Sequence, residues 1–383
     1  MSKTTDVAII GGGVIGCSIA YQLSKNGVEC LVFEQNTLAS GASGASVGIV
    51  GPIWYLDNTI ESFFELGMQS LEIFPSLSEE LLEAGFDPQF HQTGVIKVAL
   101  DEQLCEMLQN NLAWQGELGI GIRWLDQKEL VEREPEITKK AIGGVFSPKE
   151  GSINGKAYVN ALASVSSKLG STFLENKEVT SLAIQGKTVI GVRTKNETYH
   201  ANHTILATGA WSGINNKWIP ESIPVRPVKG QRILIRKSGF LPKSTVQSVV
   251  PQLDGSIIVG ATREENRFDQ KITTNGISQM LSNAKSVFPI LNNAEFISAT
   301  AGIRPGSPDN MPILGPVPDW EGITLATGHD HAGIICSPAT GTMVARYILT
   351  GDSSELEPFS VNRFSFEKLK VAKYMFKNTS PDQ

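Results

Sequence analysis

The chain opens on a hydrophobic run, Val7 to Ile10 in "DVAII", with the length and branched content of a buried strand. It leads straight into a glycine cluster, Gly11-Gly12-Gly13-Val14-Ile15-Gly16, after which Ile19, Ala20 and Leu23 fall at helical spacing. A second apolar run, "CLVFE" at 30–34, predicts a strand that ends in an acid, Glu34. Further on, "ANHTILATGAWS" (201–212) reads as a β-branched strand closing at Ala207-Thr208-Gly209. The stretch "GITLATGHDHAGIICSPATGTMVARYILTG" (322–351) reads as strand, glycine loop and a helix beginning near Ala339, with Thr340 and Gly341 at its start. The runs "TGVIKVAL", "RILIRK" and "GSIIVGAT" add β-like segments within 89–148 and 223–302, outside the glycine-rich signatures. No tandem repeat or low-complexity linker intervenes.

Composition narrows the classes. A length of 383 residues with 41% hydrophobic and 19% charged content suits a globular chain long enough for two domains. A net charge of -6, with no basic stripe interleaved with aromatics, argues against nucleic acid as a partner. Cys17, Cys30, Cys105 and Cys336 have no paired spacing, so neither a disulfide framework nor a zinc site is expected and a reducing cytoplasm is the simplest location. His329 and His331, one residue apart with no third ligand, do not make a metal site. Val7 to Leu23 carries no charge, but its glycines and the single preceding Lys3 argue against an export signal or membrane span.

Candidate chemistry begins with Gly11-x-Gly13-x-x-Gly16 between strand and helix. The first glycine permits a tight turn, Gly13 lets the backbone approach a pyrophosphate, and Gly16 allows close packing of helix on strand. Glu34 falls where a carboxylate accepts hydrogen bonds from an adenosine ribose, an opening that NAD and FAD enzymes share. The loop "LASGASGASVGIVGP" (38–52) has side chains small enough for backbone contact along an extended cofactor, or is simply a flexible loop. "AGIRPGSPDNMPILG" (301–315) sets one cation, Arg304, in an otherwise apolar run. A substrate carboxylate held as a bidentate fork offsets that desolvation, and so does a structural ion pair to Asp309 or Glu321. Trp54 and Tyr55 suit a pocket entrance or ordinary packing.

Taken together, "IIGGGVIGCSIAYQL", the loop 41–51, "LATGAWS", "RPVKGQ", "VGAT", "AGIRPGSPDNMPILG" and "GHDHAGIICSPATG" resemble the D-amino-acid oxidase superfamily of FAD-dependent oxidoreductases, closest to its bacterial glycine oxidase branch. The resemblance implies an α/β fold with α+β inserts: a Rossmann-like FAD-binding domain of the glutathione-reductase-like type from 1–88, 149–222 and 303–372. An interleaved antiparallel-sheet substrate domain would come from 89–148 and 223–302, and 373–383 would form a C-terminal tail.

It also implies non-covalent FAD, because Pro305 and Gly306 follow Arg304 where some relatives attach the flavin through a cysteine. Implied cofactor contacts are Gly11, Gly13, Val14, Ile15, Gly16, Glu34, Gln35, Ser43, Ala45, Ser46, Gly48, Ile49, Val179, Ala207, Thr208, Gly209, Trp211, Gly302, Gly328, His329, Gly333 and Ile334. Arg304 and His331 are the implied catalytic residues, with Ser248, Trp54 and Tyr55 lining the substrate pocket. Ser248 stands where the glycine oxidase branch carries a tyrosine, and His331 where it carries an arginine.

The implied reaction is oxidative deamination of glycine, sarcosine or a D-amino acid by hydride transfer from the α-carbon to the flavin, with dioxygen reoxidation giving hydrogen peroxide. "GHDHAG" also resembles the loop of flavin subunits of proline and hydroxyproline dehydrogenases and of hydrogen cyanide synthase, so the alternative is an amine dehydrogenase that passes electrons to another acceptor or partner subunit. A homo-oligomer is expected from the same resemblance. The tail from 363 onward alternates lysines with apolar residues as a basic amphipathic helix would, for which subunit packing or a frayed end is commoner than contact with a membrane surface.

Overall fold

The structure is a computed structural model that describes residues 3–56, 58–214, 218–219 and 223–364. The expected tail helix lies outside the described residues. The chain divides into two compact units, one of residues 1–42, 159–228 and 303–383 and the other of 43–158 and 229–302.

The first unit is built on a mostly parallel sheet. Strand Lys3–Ile10 lies between Thr198–Leu206 and Cys30–Phe33, with Ile10 in register with Leu206 on one side and Phe33 on the other. Thr172–Leu174 extends the sheet beyond Cys30–Phe33, and Ile323–Thr327 extends it beyond Thr198–Leu206, both in parallel. Antiparallel hairpin strands Val179–Gln185 and Thr188–Thr194 finish one edge. Val7, Ala8, Ile9 and Ile10 are all buried, as expected of a parallel strand covered on both faces, which is why the sequence shows a continuous apolar run there.

Helix Val14–Lys25 makes the crossover from the first strand to the second and packs against helix Gly333–Thr350. Contact is close enough that a Cβ on Gly341 would stand 2.4 Å from Ser18 Oγ, and the Ser18 hydroxyl donates to the Ser337 carbonyl at 2.8 Å.

That second helix corrects the sequence reading. It begins at Gly333, not near Ala339, and carries Pro338 inside it. Proline removes the N–H that would bond the Ile334 carbonyl, and the Ser337 hydroxyl donates to that carbonyl instead, at 3.0 Å. The helix ends at Gly351, whose φ of +77° gives the left-handed cap.

The second unit holds a nine-stranded sheet and a three-stranded ribbon. Strand Arg226–Arg236 pairs with Ile257–Gly260, which pairs in turn with Val249–Pro251, all antiparallel. Strand Val95–Ala99 runs antiparallel to Gly143–Ser147 but parallel to Thr245–Val246. Helix Thr274–Val287 closes this core by setting Met280, Ala284 and Val287 against Ile233, Ile235, Ile257 and Val259. Thr273 caps that helix by accepting the Gly276 N–H at 3.1 Å. The ribbon joins Ile49–Val50, Gly151–Ile153 and Phe90–His91. No helix among the described residues is long and apolar enough to cross a membrane.

Candidate functional site

In the first unit the glycine motif does what its spacing requires. Gly11 has φ +118°, and a Cβ on it would lie 2.2 Å from the Ala207 carbonyl oxygen. A Cβ on Gly16 would lie 2.0 Å from the Gly11 carbonyl, so the helix rests directly on the turn. Gly13 is the N-cap of helix Val14–Lys25, which has no side-chain cap and no acid in its first turn. The first turn, with Val14 and Ile15, therefore brings no acid of its own to compete for an anion at this helix end.

Glu34 is fixed at the end of the second strand. The Gly12 N–H donates to one carboxylate oxygen and the Asn36 N–H to the other, both at 2.9 Å. Each oxygen keeps a lone pair for a diol. Gln35 beside it is exposed, and Val179 is buried at the head of its strand.

At the end of strand Thr198–Leu206 the backbone opens into the turn Gly209–Gly213, with Ala207 buried and Thr208 and Trp211 half-buried. A chain of hydroxyls ties this turn to the neighbouring strand. Thr208 meets Ser212 at 2.8 Å, Ser212 meets Thr327 at 2.7 Å, and Thr327 donates to the Gly209 carbonyl at 3.1 Å.

The candidate chemical residues gather at the next strand end. Arg304 is half-buried on strand Glu295–Gly306, two positions before Gly306, which makes an antiparallel bridge to His329. Asp309 is engaged by Arg363 at 2.7 Å, and Glu321 accepts the Thr188 hydroxyl at 3.1 Å. Gly302, on the same strand, is buried. Gly328 has φ +74°, which turns the chain into the 329–333 segment.

His329 is buried with Nε2 3.2 Å from Thr340 Oγ1, and burial pushes its pKa down to about 3, so the ring is neutral. His331 is exposed, with Nδ1 3.4 Å from Asp330 Oδ1. Asp330 itself is buried, at φ +46°. Helix Gly333–Thr350 starts here with no side-chain cap and with Ile334 buried in its first turn. Among the described residues no group of three or more His, Cys, Asp or Glu is arranged to hold a metal.

In the second unit the small-residue loop is pinned, not loose. Arg232 donates to the Gly44 carbonyl at 2.9 Å and to the Ser46 carbonyl, and the Ser46 hydroxyl donates to the Ser43 carbonyl at 2.8 Å. Ser43, Ala45 and Ser46 are half-buried. Gly48 has φ +81° and no room for a side chain, since a Cβ would meet the Ile153 carbonyl at 2.0 Å. Ile49 then enters the ribbon opposite Ser152.

Trp54 and Tyr55 end the single helical turn Pro52–Tyr55, both half-buried. The Tyr55 hydroxyl donates to the Gln247 carbonyl at 3.0 Å, and the Lys97 ammonium lies 4.4 Å from the Tyr55 ring centroid. Ser248, beside Gln247, is half-buried, and its carbonyl accepts the Gly260 N–H at 3.3 Å.

These residues fit a dinucleotide whose pyrophosphate meets helix Val14–Lys25 and whose ribose meets Glu34. The family model described as FAD dependent oxidoreductase (DAO) matches residues 6–347. The chain belongs to this family. It is an FAD-dependent oxidoreductase.

Among its relatives, a glycine oxidase of Geobacillus kaustophilus is 32% identical, over 95% of this chain and 98% of that one. The crystal structure of glycine oxidase from the same organism matches with a TM-score of 0.89 at 30% identity, covering 95% of this chain and 100% of the other. A hydrogen cyanide synthase subunit of Pseudomonas aeruginosa is 30% identical, over 97% of this chain and 99% of its own length.

Several residues of this DAO-family chain escaped the sequence reading. Arg232 carries no motif, because the carbonyls it holds lie 186 and 188 positions away. Glu150 is equally silent in sequence, although it accepts the Ile53 N–H at 2.9 Å. A charged residue inside an otherwise apolar strand, "GVIKVAL", is the one signal that points to Lys97.

Proposed function

We propose that this DAO-family enzyme oxidises the carbon–nitrogen bond of a small amino or imino acid, with FAD held non-covalently. The observation that carries this reading is Arg304, half-buried on a strand whose end, at Gly306, bridges the backbone of His329. A guanidinium there is a bidentate match for a substrate carboxylate, and the resemblance of "GIRP" to the substrate-binding segment of glycine oxidases supports that use.

In this reading Gly13 leaves room for the pyrophosphate at the first helix, Gly11 and Gly16 let strand, turn and helix close up behind it, and Glu34 takes the ribose hydroxyls. Ala207 to Gly209 let the backbone run close to the cofactor, and the resemblance gives Gly48 the same use. FAD, when bound, supplies a two-electron acceptor for a hydride from the α-carbon. Arg304 holds the carboxylate so that the α C–H has one orientation, and the resemblance gives Trp54, Tyr55 and Ser248 contacts with the rest of the substrate. The N-terminus of helix Gly333–Thr350, with its uncapped N–H groups, favours negative charge beside it. His329, kept neutral by burial, adds no positive charge there. The imine formed on substrate takes up water to give an oxo acid and ammonia, or an amine when the substrate nitrogen is secondary. No nucleophilic or metal step is required of the chain.

The second reading, an electron-transferring dehydrogenase subunit, is favoured by His331 standing in the "GHDHAG" loop and by the similarity to the hydrogen cyanide synthase subunit. An anaerobic screen with glycine, sarcosine, D-amino acids, proline and hydroxyproline tests both. Bleaching of the flavin followed by reoxidation in air with peroxide release supports the oxidase. Bleaching with sluggish reoxidation and rapid transfer to a dye supports the dehydrogenase. A flavin that no amino or imino acid reduces rejects both.

A further inference from the structure

In the second unit a set of buried polar atoms without hydrogen-bond partners converges on Glu150. This residue follows the turn that ends strand Gly143–Ser147 and is 0% exposed. One carboxyl oxygen accepts the Ile53 N–H at 2.9 Å, across 97 positions of sequence. The other, Oε2, is buried with no partner, as are Trp54 Nε1 and Ser147 Oγ. The Ser147 hydroxyl and the Trp54 indole both face the Glu150 carboxyl and lower its hold on a proton, but neither reaches bonding geometry.

Register explains why these atoms meet. Ser147 and Thr245 are the partners of Val95 on its two sides, so all three side chains share one sheet face, and Lys97 follows on that same face. Thr245 Oγ1 is a further buried atom with no partner. An indole N–H and a hydroxyl on one side and a carboxyl oxygen on the other are the two to four polar contacts that an ordered water requires.

We propose that Glu150, Ser147 and Trp54 hold a buried water, and that through it and the Ile53 N–H, Glu150 is the positioning residue for the Trp54–Tyr55 pair. One carboxyl group thereby fixes both the backbone entering the turn Pro52–Tyr55 and the indole leaving it. The charged and titratable groups facing Glu150 are Lys97 from strand Val95–Ala99 and Tyr55 from the turn itself. Burial raises the Glu150 pKa to about 8 despite the nearby Lys97, so the carboxyl is able to donate to the water as well as accept from it. The role in substrate binding rests on the function proposed above, whereas the water and the indole contact do not.

The test is a double-mutant cycle on the FAD-loaded enzyme with Glu150→Gln, Trp54→Phe and the pair. Gln keeps the acceptor for Ile53 but replaces the second oxygen, which both donates to and accepts from the water, by a nitrogen that only donates. Glu150→Gln is expected to raise KM about fivefold, the value of one hydrogen bond, with kcat nearly unchanged, and to have no such effect when Trp54 is already Phe. An equal effect in both backgrounds, or a fall confined to kcat, overturns the positioning role.

The spectroscopic arm uses no substrate. The emission of Trp54, taken as wild type minus Trp54→Phe, is expected to shift in Glu150→Gln and in wild type to titrate well above the ordinary carboxylate range. Emission insensitive to both overturns the contact, even if turnover is normal. If no amino acid reduces the flavin, the function proposed above fails, while the emission result still decides the water site. Should Glu150→Gln not fold, the wild-type titration and a crystal structure showing or lacking the water decide it.

Discussion

The Ala207 carbonyl oxygen stands 2.2 Å from the point a Cβ on Gly11 would occupy. Both atoms belong to backbone, so neither can swing aside, and φ of +118° at Gly11 adds strain for any side chain. Gly11→Ala is therefore expected to shift the turn and cut FAD retention by about tenfold or more, roughly 1.4 kcal/mol. Gly170→Ala is the control, because φ is +107° there but nothing lies within 4 Å of a Cβ. The flavin-to-protein absorbance ratio after purification checks the pair, and equal retention by both variants contradicts the argument.

Stability should depend on pH in two opposed ways. Glu150 has its pKa raised from 4.5 to about 8, chiefly by burial, so between these values the folded chain keeps a proton that the unfolded chain has lost. That contribution is fully present below 4.5 and fades as pH rises through about 8. His203 and His329 are lowered by burial from 6.5 to about 4 and about 3. Their contribution is present above 6.5 and fades as pH falls through those lower values. Melting curves from pH 5 to 9 should show the alkaline decline flattened in Glu150→Gln and the acid decline flattened in His203→Asn. Parallel curves for wild type and variants would refute the assignments.

Lys229 is fully buried, 3.1 Å from Asp269 and 3.3 Å from Glu264, while both acids keep partial exposure. Removing the acids strands a cation with no water, whereas removing the cation leaves carboxylates that water can reach. The double change Glu264→Gln with Asp269→Asn is thus expected to lower Tm further than Lys229→Met. Thermal unfolding of the two variants decides it, and the reverse order would show that the pairing contributes through the acids alone.

How much was legible in the chain follows from sequence distance. Gly11 to Gly16 and Glu34 announce themselves because strand, turn, helix and acid are local, and each glycine answers to one steric demand. The parallel sheet was legible for the same reason, from its unbroken apolar runs. The true start of helix Gly333–Thr350 was not legible, because Pro338 lies inside it and the Ser337 hydroxyl that relieves the missing bond is too common a feature to read in advance. Arg232 and Glu150 stayed hidden because their partners are backbone atoms 97 to 188 positions away, and an acceptor carbonyl leaves no trace in composition. Arg304 was visible as a lone cation in an apolar run, although sequence alone left its partner open.

The role of Arg304 is tested most directly by anaerobic reduction of the bound flavin, followed at its visible absorbance, in wild type, Arg304→Lys and Arg304→Leu. With a carboxylate substrate that bleaches wild type, the leucine variant should retain its FAD yet lose about 30-fold to 1000-fold in reduction rate at low substrate, the 2 to 4 kcal/mol range for truncating a sheltered charged pair. Lysine should recover part of the loss. Full-rate reduction of Arg304→Leu, with unchanged dependence on substrate concentration, would contradict the proposal that this guanidinium anchors the substrate acid.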